Sequence, residues 1–258
     1  MDDTIFMIHG AWCGPWIWDN YRRVFESEGY RCVTATLPYH DMDPRDVPDP
    51  RLGTTGLLDY AEALEEEVRQ LGAKPILMGH SMGGLLAQIL GARGLAKALV
   101  LLNPTSPSGI VGITPSVLRS FWPILTTWGF WRKPVRLTFG EAVYAFLFLL
   151  AEKEQKNIYD KNVYESGRTM FEIAFWLFDS MAASRVDESK VTCPVLVVAG
   201  AQDRAVPPSV VCRVARKYKA VSTYKVFENH AHMVVTEPRW QEVAEYVGGW
   251  LRPLRTAF

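Results

Sequence analysis

The stretch "GHSMGG", residues 79–84, places a serine between two glycines where the apolar run "PILM" gives way to "LLAQIL". A strand that turns sharply into a helix needs small flanking residues so that the chain can pass. The hydroxyl of Ser81 would then project from the carboxyl end of a sheet, where open α/β folds bind their ligands. The motif therefore predicts a nucleophile at Ser81 rather than a serine of the core.

A serine nucleophile needs a base, and the chain has five histidines. Three of them are poorly placed to act as this base. His9 lies in the first strand–loop junction, His40 in a long loop, and His80 inside the turn itself. His230 and His232 follow the last predicted strand, and either of them could reach Ser81.

An acid must orient the imidazole and stabilise its positive charge. In the segment "VLVVAGAQD", residues 195–203, Asp203 lies just past a predicted strand, at the same edge of the sheet as Ser81. Asn103 also follows a strand but is not an acid. The order along the chain is then Ser81, Asp203 and His232, which is the order expected for a strand–turn–helix nucleophile.

Acyl transfer also requires hydrogen-bond donors for the developing oxyanion, each worth about 3–4 kcal/mol. The N–H of Met82, at the predicted helix start, is one candidate. The second is expected in "IHGAW", residues 8–12, where Gly10 lets the backbone approach closely. We favour the N–H of Ala11 over that of Trp12, and we expect His9 to brace this loop.

Short apolar runs alternate with segments of helical period. The runs read as strands at residues 5–8, 32–36, 76–78, 98–102, 195–198 and 223–227. Most are continuously apolar, as is typical of parallel strands covered on both faces. Apolar residues at helical spacing predict helices over residues 57–71, which Gly72 would end, and 240–251. This alternation favours an α/β fold with a mostly parallel sheet.

Residues 104–190 interrupt the alternation and carry no strand signal. They hold helix-like stretches at 140–151 and 168–181 and 15 of the 31 aromatic residues. We interpret this segment as a helical lid on a core domain of residues 1–103 and 191–258, with an apolar inner face. The expected substrate-binding side chains are Trp12, Trp122, Trp128, Phe146, Trp176 and Met233.

Composition excludes several classes of function. Lysine plus arginine equals aspartate plus glutamate at 28 each, so no basic surplus indicates a nucleic-acid partner. No apolar run is long enough to span a membrane, and residues 1–8 lack a basic leader, so a cytoplasmic protein without stable membrane insertion is expected. The four cysteines match no metal or redox spacing. Neither a metal nor a cofactor is expected, and a homodimer is left open.

Four stretches together carry a family resemblance: "HGAW" (9–12), "GHSMGG" (79–84), "GAQD" (200–203) and "HMVVTEP" (232–238). The sequence resembles the serine hydrolases of the α/β-hydrolase fold. The resemblance implies a mostly parallel sheet of about six strands flanked by helices, with the lid inserted after the fourth core strand. Ser81, Asp203 and His232 would form the catalytic triad, and Ala11 and Met82 the oxyanion hole.

Within that superfamily, "HGAWCGPWIW" (9–18) is similar to the N-terminal signature of the plant methylesterase and hydroxynitrile lyase group. The resemblance favours a histidine five residues before a Glu–Pro pair, which selects His232 rather than His230. In this group the lyases carry a threonine where Gly10 stands and a lysine where Met233 stands. The chain is therefore esterase-like at both positions.

Together these features predict a small-molecule ester as substrate, cleaved through an acyl-enzyme at an apolar acyl or aryl group. The same triad would also suit a thioesterase, a lactonase, an amidase or a carbon–carbon bond hydrolase. A receptor that holds a small molecule under its lid, and a surface-active lipase that uses the "FLFLL" run (146–150), are further alternatives.

Overall fold

The structure is a computed structural model that describes residues 3–255. Its strands are β1 Thr4–Ile8, β2 Arg31–Thr34, β3 Ile76–His80, β4 Ala98–Leu102, β5 Pro134–Val135, β6 Glu165–Ser166, β7 Val195–Gly200 and β8 Ser222–Phe227. Six of them form one parallel sheet in the order β2-β1-β3-β4-β7-β8. The predicted α/β class and the six parallel strands are thus confirmed.

Burial explains which strands are central. Nearly every residue of β1, β3, β4 and β7 is buried, whereas β2 and β8 at the two edges are partly exposed. Continuous apolar runs such as "ALVLL" fit central parallel strands, because helices cover both of their faces. The predicted β2 is the least accurate of the six, since the strand begins at Arg31 and ends at Thr34 instead of covering residues 32–36.

The helices are α1 Asp19–Ser27, α2 Leu57–Gln70, α3 Met82–Ala92, α4 Pro115–Leu125, α5 Phe139–Ala142, α6 Glu152–Tyr159, α7 Gly167–Ala174, α8 Pro208–Lys217 and α9 Trp240–Leu251. The chain crosses the sheet in one direction from β1 to β2, through α1, and in the other direction from β2 to β3, through α2. Because parallel crossovers are right-handed, these two directions put α1 and α2 on opposite faces of the sheet. α1 packs with α9, and α2 packs with α3.

The strand order reverses between β1 and β3, which pair from Ile5↔Ile76 to Ile8↔Gly79. At such a switch point, the loops at the carboxyl ends of the two strands diverge and leave a crevice. The loop that begins at His9 and the turn at Ser81 therefore lie side by side at this edge of the sheet.

The segment between β4 and β7 contains α4–α7, a five-residue π-helix at Val143–Leu147 and the antiparallel pair β5–β6. The expectation of no strand in this segment was wrong, because two-residue strands carry no periodicity. The predicted helix over 140–151 is α5 followed by the π-helix, and the predicted helix over 168–181 ends at Ala174. Helices α4 and α6 were not predicted.

No helix among residues 3–255 is long and apolar enough to cross a membrane.

Candidate active site

Ser81 occupies the turn between β3 and α3 in a conformation that side chains rarely adopt. Its φ is 55° and its ψ is −121°. The N–H of Ser81 donates to the carbonyl of Leu102, 3.0 Å away, which anchors the turn to β4. A Cβ on Gly79 or Gly83 would collide with backbone atoms of Gly83 or Ile8, so only glycine fits at either position. Tight packing on both sides therefore holds Ser81 in a strained backbone conformation. The strain costs about 1–3 kcal/mol, which other interactions of the fold must offset.

Asp203 and His232 lie next to each other at the same edge of the sheet. Nδ1 of His232 is 2.8 Å from Oδ2 of Asp203, and both side chains are buried. The other carboxylate oxygen, Oδ1, accepts hydrogen bonds from the N–H groups of Ala205 and Val206, each at 2.8 Å. Since the carboxylate accepts from Nδ1–H, Nε2 of His232 is left as the nitrogen that can act as a base.

Ser81 and His232 line one cavity, with an empty volume of about 410 Å³, together with Gly10 and Ala11. A Cβ on Gly10 would lie 2.9 Å from Cβ of Ser81, so this loop reaches the serine because it has no side chain there. In the described part of the chain, no backbone acceptor is bonded to the N–H of Ala11 or Met82. Met82 is the first residue of α3, its side chain is buried, and it is not itself a lining residue.

Three of the six expected substrate-binding side chains line the cavity: Trp12, Phe146 and Met233. The structure does not bring the other three there. Trp122 and Trp128 are 59% and 85% exposed, on α4 and just after it, and Trp176 lies in a short 3-10 helix away from the cavity. Six further residues line the cavity and were not predicted to do so: Cys13, His80, Leu137, Leu147, Ile158 and Asn162.

A model of the alpha/beta hydrolase family matches residues 5–246. The chain belongs to this family. The match covers both the Ser81 turn and the Asp203–His232 pair, so the cavity lies where the matched elements converge.

Individual alpha/beta hydrolases are similar over shorter stretches. The alpha-hydroxynitrile lyase of Arabidopsis thaliana is 33% identical over 107 residues, which is 39% of this chain and 39% of the lyase. The polyneuridine aldehyde esterase of Rauvolfia serpentina is 30% identical over 81 residues, 31% of this chain and 29% of the esterase. The chain thus matches well under half the length of either relative.

The fold itself is shared over nearly the full length. The crystal structure of the methylesterase MES16 from Arabidopsis superposes with a TM-score of 0.72, covering 97% of this chain and 99% of that one, at 12% identity. At so low an identity the likeness shows the fold alone.

Two buried residues to which the sequence analysis gave no structural role, Asn103 and Glu237, fix the histidine loop of this alpha/beta hydrolase. Nδ2 of Asn103 donates to the carbonyls of Ala231 and His232, 2.6 and 2.8 Å away, and its Oδ1 accepts from the N–H of Gly200 at 2.7 Å. Glu237 accepts from the N–H groups of Ala231 and Met233. The sequence shows that Asn103 follows a predicted strand and that Glu237 belongs to a Glu–Pro pair. It does not show which groups their side chains hydrogen-bond to.

Replacing Asn103 with alanine is expected to lower the free energy of unfolding by about 2–4 kcal/mol. The change leaves the N–H of Gly200 and the carbonyl of Ala231 unpaired in the interior, and each such group costs about 1–3 kcal/mol. Urea unfolding followed by circular dichroism measures the change. The exposed Asn157 on α6 offers a matched control, since Asn157→Ala should cost less than about 0.5 kcal/mol. A loss for Asn103→Ala as small as the control's would contradict the bracing role.

The other four histidines are bonded elsewhere. Nε2 of His9 accepts from the N–H of Leu37, so Nδ1 donates to the carbonyl of Gly10, and the ring braces the loop of Gly10 and Ala11. Nε2 of His80 lies 2.8 Å from the carbonyl of His232. Burial lowers the pKa of both His9 and His80 to about 3, so both rings are neutral near pH 7.

His40 instead forms a buried ion pair with Glu165 on β6, with Nε2 3.0 Å from Oε2. Burial acts to lower the pKa of His40, but the Glu165 carboxylate and the hydrogen bonds outweigh it and raise the pKa above its ordinary value. Nδ1 of His230 lies 3.3 Å from Oε2 of Glu237. Neither ring is among the lining residues. His80 and His232 both line the cavity with Ser81, and of these two it is His232 that is hydrogen-bonded to Asp203.

Among residues 3–255, Cys13 is the cysteine that lines the cavity, and its thiol is unreactive. Cys13 is a free thiol, and burial followed by the nearby Glu165 charge raises its pKa to about 12. Because the thiolate is the reactive form, this thiol does not compete with Ser81 as a nucleophile.

Proposed function

We propose that this alpha/beta hydrolase is a serine esterase that cleaves carboxylic esters of apolar acyl or aryl groups. The observation that carries the proposal is the 2.8 Å contact between His232 and Asp203, beside a cavity that His232 shares with Ser81. A hydroxyl on a strained turn, an imidazole with a free Nε2 and a carboxylate that orients it are the parts of a nucleophilic acyl-transfer site.

The reaction follows from these parts. Oγ of Ser81 attacks the ester carbonyl carbon, and its proton passes to Nε2 of His232. The carbon–oxygen bond to the alcohol breaks, and the departing alcohol takes that proton. Water then attacks the acyl-enzyme with the same histidine as base, which releases the carboxylic acid and restores Ser81. Asp203 stabilises the imidazolium throughout, through the hydrogen bond from Nδ1.

The oxyanion would be held by the N–H groups of Ala11 and Met82. Two features support this assignment: Gly10 brings its loop against Ser81, and both N–H groups lack a backbone partner in the described part of the chain. Donors that are already oriented and unpaired cost little reorganisation when charge develops on the substrate oxygen.

An apolar substrate is supported by the cavity wall. Most of its side chains are aliphatic or aromatic. Among residues 3–255, no lysine, arginine, aspartate or glutamate lines the cavity. The ring centroid of Phe146 lies 5.0 Å from that of His232 and 5.8 Å from that of Trp12, in tilted contacts that confine the space above the nucleophile. A wall of this kind favours short, uncharged acyl groups.

Residues 104–190 would act as the cap of this site, on the core domain of residues 1–103 and 191–258. Five of the thirteen lining residues come from the segment: Leu137, Phe146, Leu147, Ile158 and Asn162. Without them Ser81 would stand open at the edge of the sheet, so the segment closes the cavity from above.

The methylesterase and hydroxynitrile lyase group contains two activities, and we favour the esterase over the lyase for this chain. Met233 is buried and lines the cavity at the position where the resemblance places a lysine in the lyases. A thioether cannot supply the positive charge that a departing cyanide ion would need.

Hydrolysis of p-nitrophenyl acetate, butyrate, octanoate and palmitate tests the proposal. We expect turnover of the shorter esters, with kcat/KM for butyrate at least about tenfold above that for palmitate, a difference of about 1.4 kcal/mol. The physical reason is that the rings of Phe146 and Trp12 wall the cavity that holds Ser81. No turnover of any of the four esters would overturn the esterase assignment.

In the same assay, Phe146→Ala should raise the palmitate-to-butyrate ratio of kcat/KM at least about tenfold. The substitution removes the ring that confines the cavity. Phe178→Ala is the matched control, because that ring is 77% exposed and far from the lining. An unchanged ratio in Phe146→Ala would mean that Phe146 does not limit acyl length.

A further inference from the structure

The cavity wall contains a polar side chain, Asn162, to which the proposed triad gives no role. Asn162 lines the cavity beside Ser81 and is only 8% exposed. Its Oδ1 is buried and has no hydrogen-bond partner among residues 3–255. An acceptor left in this state costs about 1–3 kcal/mol unless a ligand or a solvent molecule satisfies it.

The backbone around Asn162 is fixed by two hydrogen bonds. The N–H of Asn162 donates to the carbonyl of Tyr159 at 3.0 Å, which ends α6. The next residue, Val163, donates its N–H to the carbonyl of Trp12 at 2.9 Å. Asn162 is thereby held at a set position relative to the loop that faces Ser81.

The surrounding wall makes the unpaired oxygen more selective. Leu137, Ile158 and the other apolar side chains of the lining offer it no donor. The only other lining residue with an unpartnered buried polar atom is His80, whose Nδ1 would be 3.3 Å from a Cβ on Gly10 and so lies under the loop. Oδ1 of Asn162 is therefore left as an unpartnered acceptor for which a substrate hydroxyl would supply the missing donor.

We propose that Asn162 is a specificity-determining residue that accepts a hydrogen bond from a hydroxyl group of the substrate. The preferred substrates would be esters that carry an otherwise apolar chain with one hydroxyl, on the acyl group or on the alcohol. This inference rests on the proposed esterase function and narrows its substrate class. A buried acceptor built for a hydroxyl discriminates strongly, because the unhydroxylated ester leaves it unpaired.

Matched ester pairs test the proposal. The pairs are ethyl 2-hydroxybutyrate and ethyl 3-hydroxybutyrate against ethyl butyrate, and 2-hydroxyethyl butyrate against propyl butyrate. At least one hydroxylated ester should show a kcat/KM about tenfold or more above its partner. Asn162→Leu, similar in size, should abolish that preference, so that kcat/KM becomes about equal for the two members of the pair, whereas Phe178→Ala, at an exposed ring outside the lining, should keep it.

Asn162→Ala serves as a second variant in case leucine disturbs packing, and thermal unfolding checks that both fold. Equal turnover of hydroxylated and plain esters by the wild type would overturn the proposal, and would mean that solvent satisfies Oδ1. A preference that survives in both Asn162 variants would overturn it as well.

A binding measurement separates this proposal from the esterase assignment. Thermal stabilisation of the Ser81→Ala protein by the hydroxylated and the plain ester reports affinity without turnover. The Asn162 assignment requires stronger stabilisation by the hydroxylated ester, lost in the Ser81→Ala, Asn162→Leu double variant. Equal stabilisation, or none by either ester, would overturn the Asn162 assignment, whereas the esterase assignment depends on turnover by the wild type alone.

Discussion

Ser81→Ala is expected to lower kcat for p-nitrophenyl butyrate by about 10⁴–10⁶-fold. Removal of Oγ takes away the nucleophile, and the remaining oxyanion donors and binding interactions support only a small residual rate. The substitution should also relieve little of the backbone strain, because alanine has a Cβ and must adopt the same φ of 55°. Steady-state kinetics with the purified variant gives the loss directly.

Two controls make the Ser81 result specific. Ser209→Ala changes an exposed serine on α8 and should leave kcat within about twofold of the wild type. An aryl phosphonate should add one phosphonyl group to the wild type and none to Ser81→Ala, as measured by intact mass. If Ser81→Ala retains more than about a tenth of the wild-type kcat, the nucleophile is another residue.

Asp203→Asn should reduce kcat by about 10³–10⁴-fold with little change in fold. Oδ1 of Asp203 accepts from two N–H groups, so the asparagine oxygen will stay on that side. Its NH₂ group then faces Nδ1 of His232, which must become an acceptor. The proton of the neutral imidazole moves to Nε2, the nitrogen that should remove the proton from Ser81.

This wrong-tautomer explanation has a separate signature. The rate of Asp203→Asn should rise with pH well above neutrality, where serine ionises without help from the histidine, while the wild-type rate levels off. Asp187→Asn, at an exposed acid in a surface turn, is the matched control and should behave as the wild type. A kcat for Asp203→Asn within tenfold of the wild type would assign the orienting role to another group.

The sequence predicted the parallel sheet well, for a physical reason. Runs such as "ALVLL" and "VLVVAG" are apolar at every position, and only a strand buried on both faces requires that. Ser81 and Asp203 could then be placed, because both follow such a strand directly. The histidine was harder to choose, since His230 and His232 follow the same strand. In space they differ because His232 is hydrogen-bonded to Asp203 and lines the cavity, whereas His230 does neither.

The cavity wall could not be predicted in the same way. Trp122 and Trp128 are as aromatic as Phe146, but a helix alone does not reveal which of its faces will pack. Phe146 points at His232 from a π-helix, whose five-residue turns have no clear sequence signature. Asn162 and Cys13 reach the cavity through contacts between segments far apart in the chain, which no local pattern encodes.

Trp12 ties the reactive edge of the sheet to its covering segment by two hydrogen bonds. Its carbonyl accepts from Val163, and its Nε1 donates to the carbonyl of Val135 at 3.1 Å. Trp12 itself sits at a φ of 62°, one residue after Ala11. Any outward movement of Val135 and Val163 must break these bonds or drag the neighbouring N–H of Ala11 with it. Under the proposed role of Ala11 as an oxyanion donor, substrate admission and carbonyl polarisation would be mechanically linked, and a wide-open entrance would leave the carbonyl poorly activated.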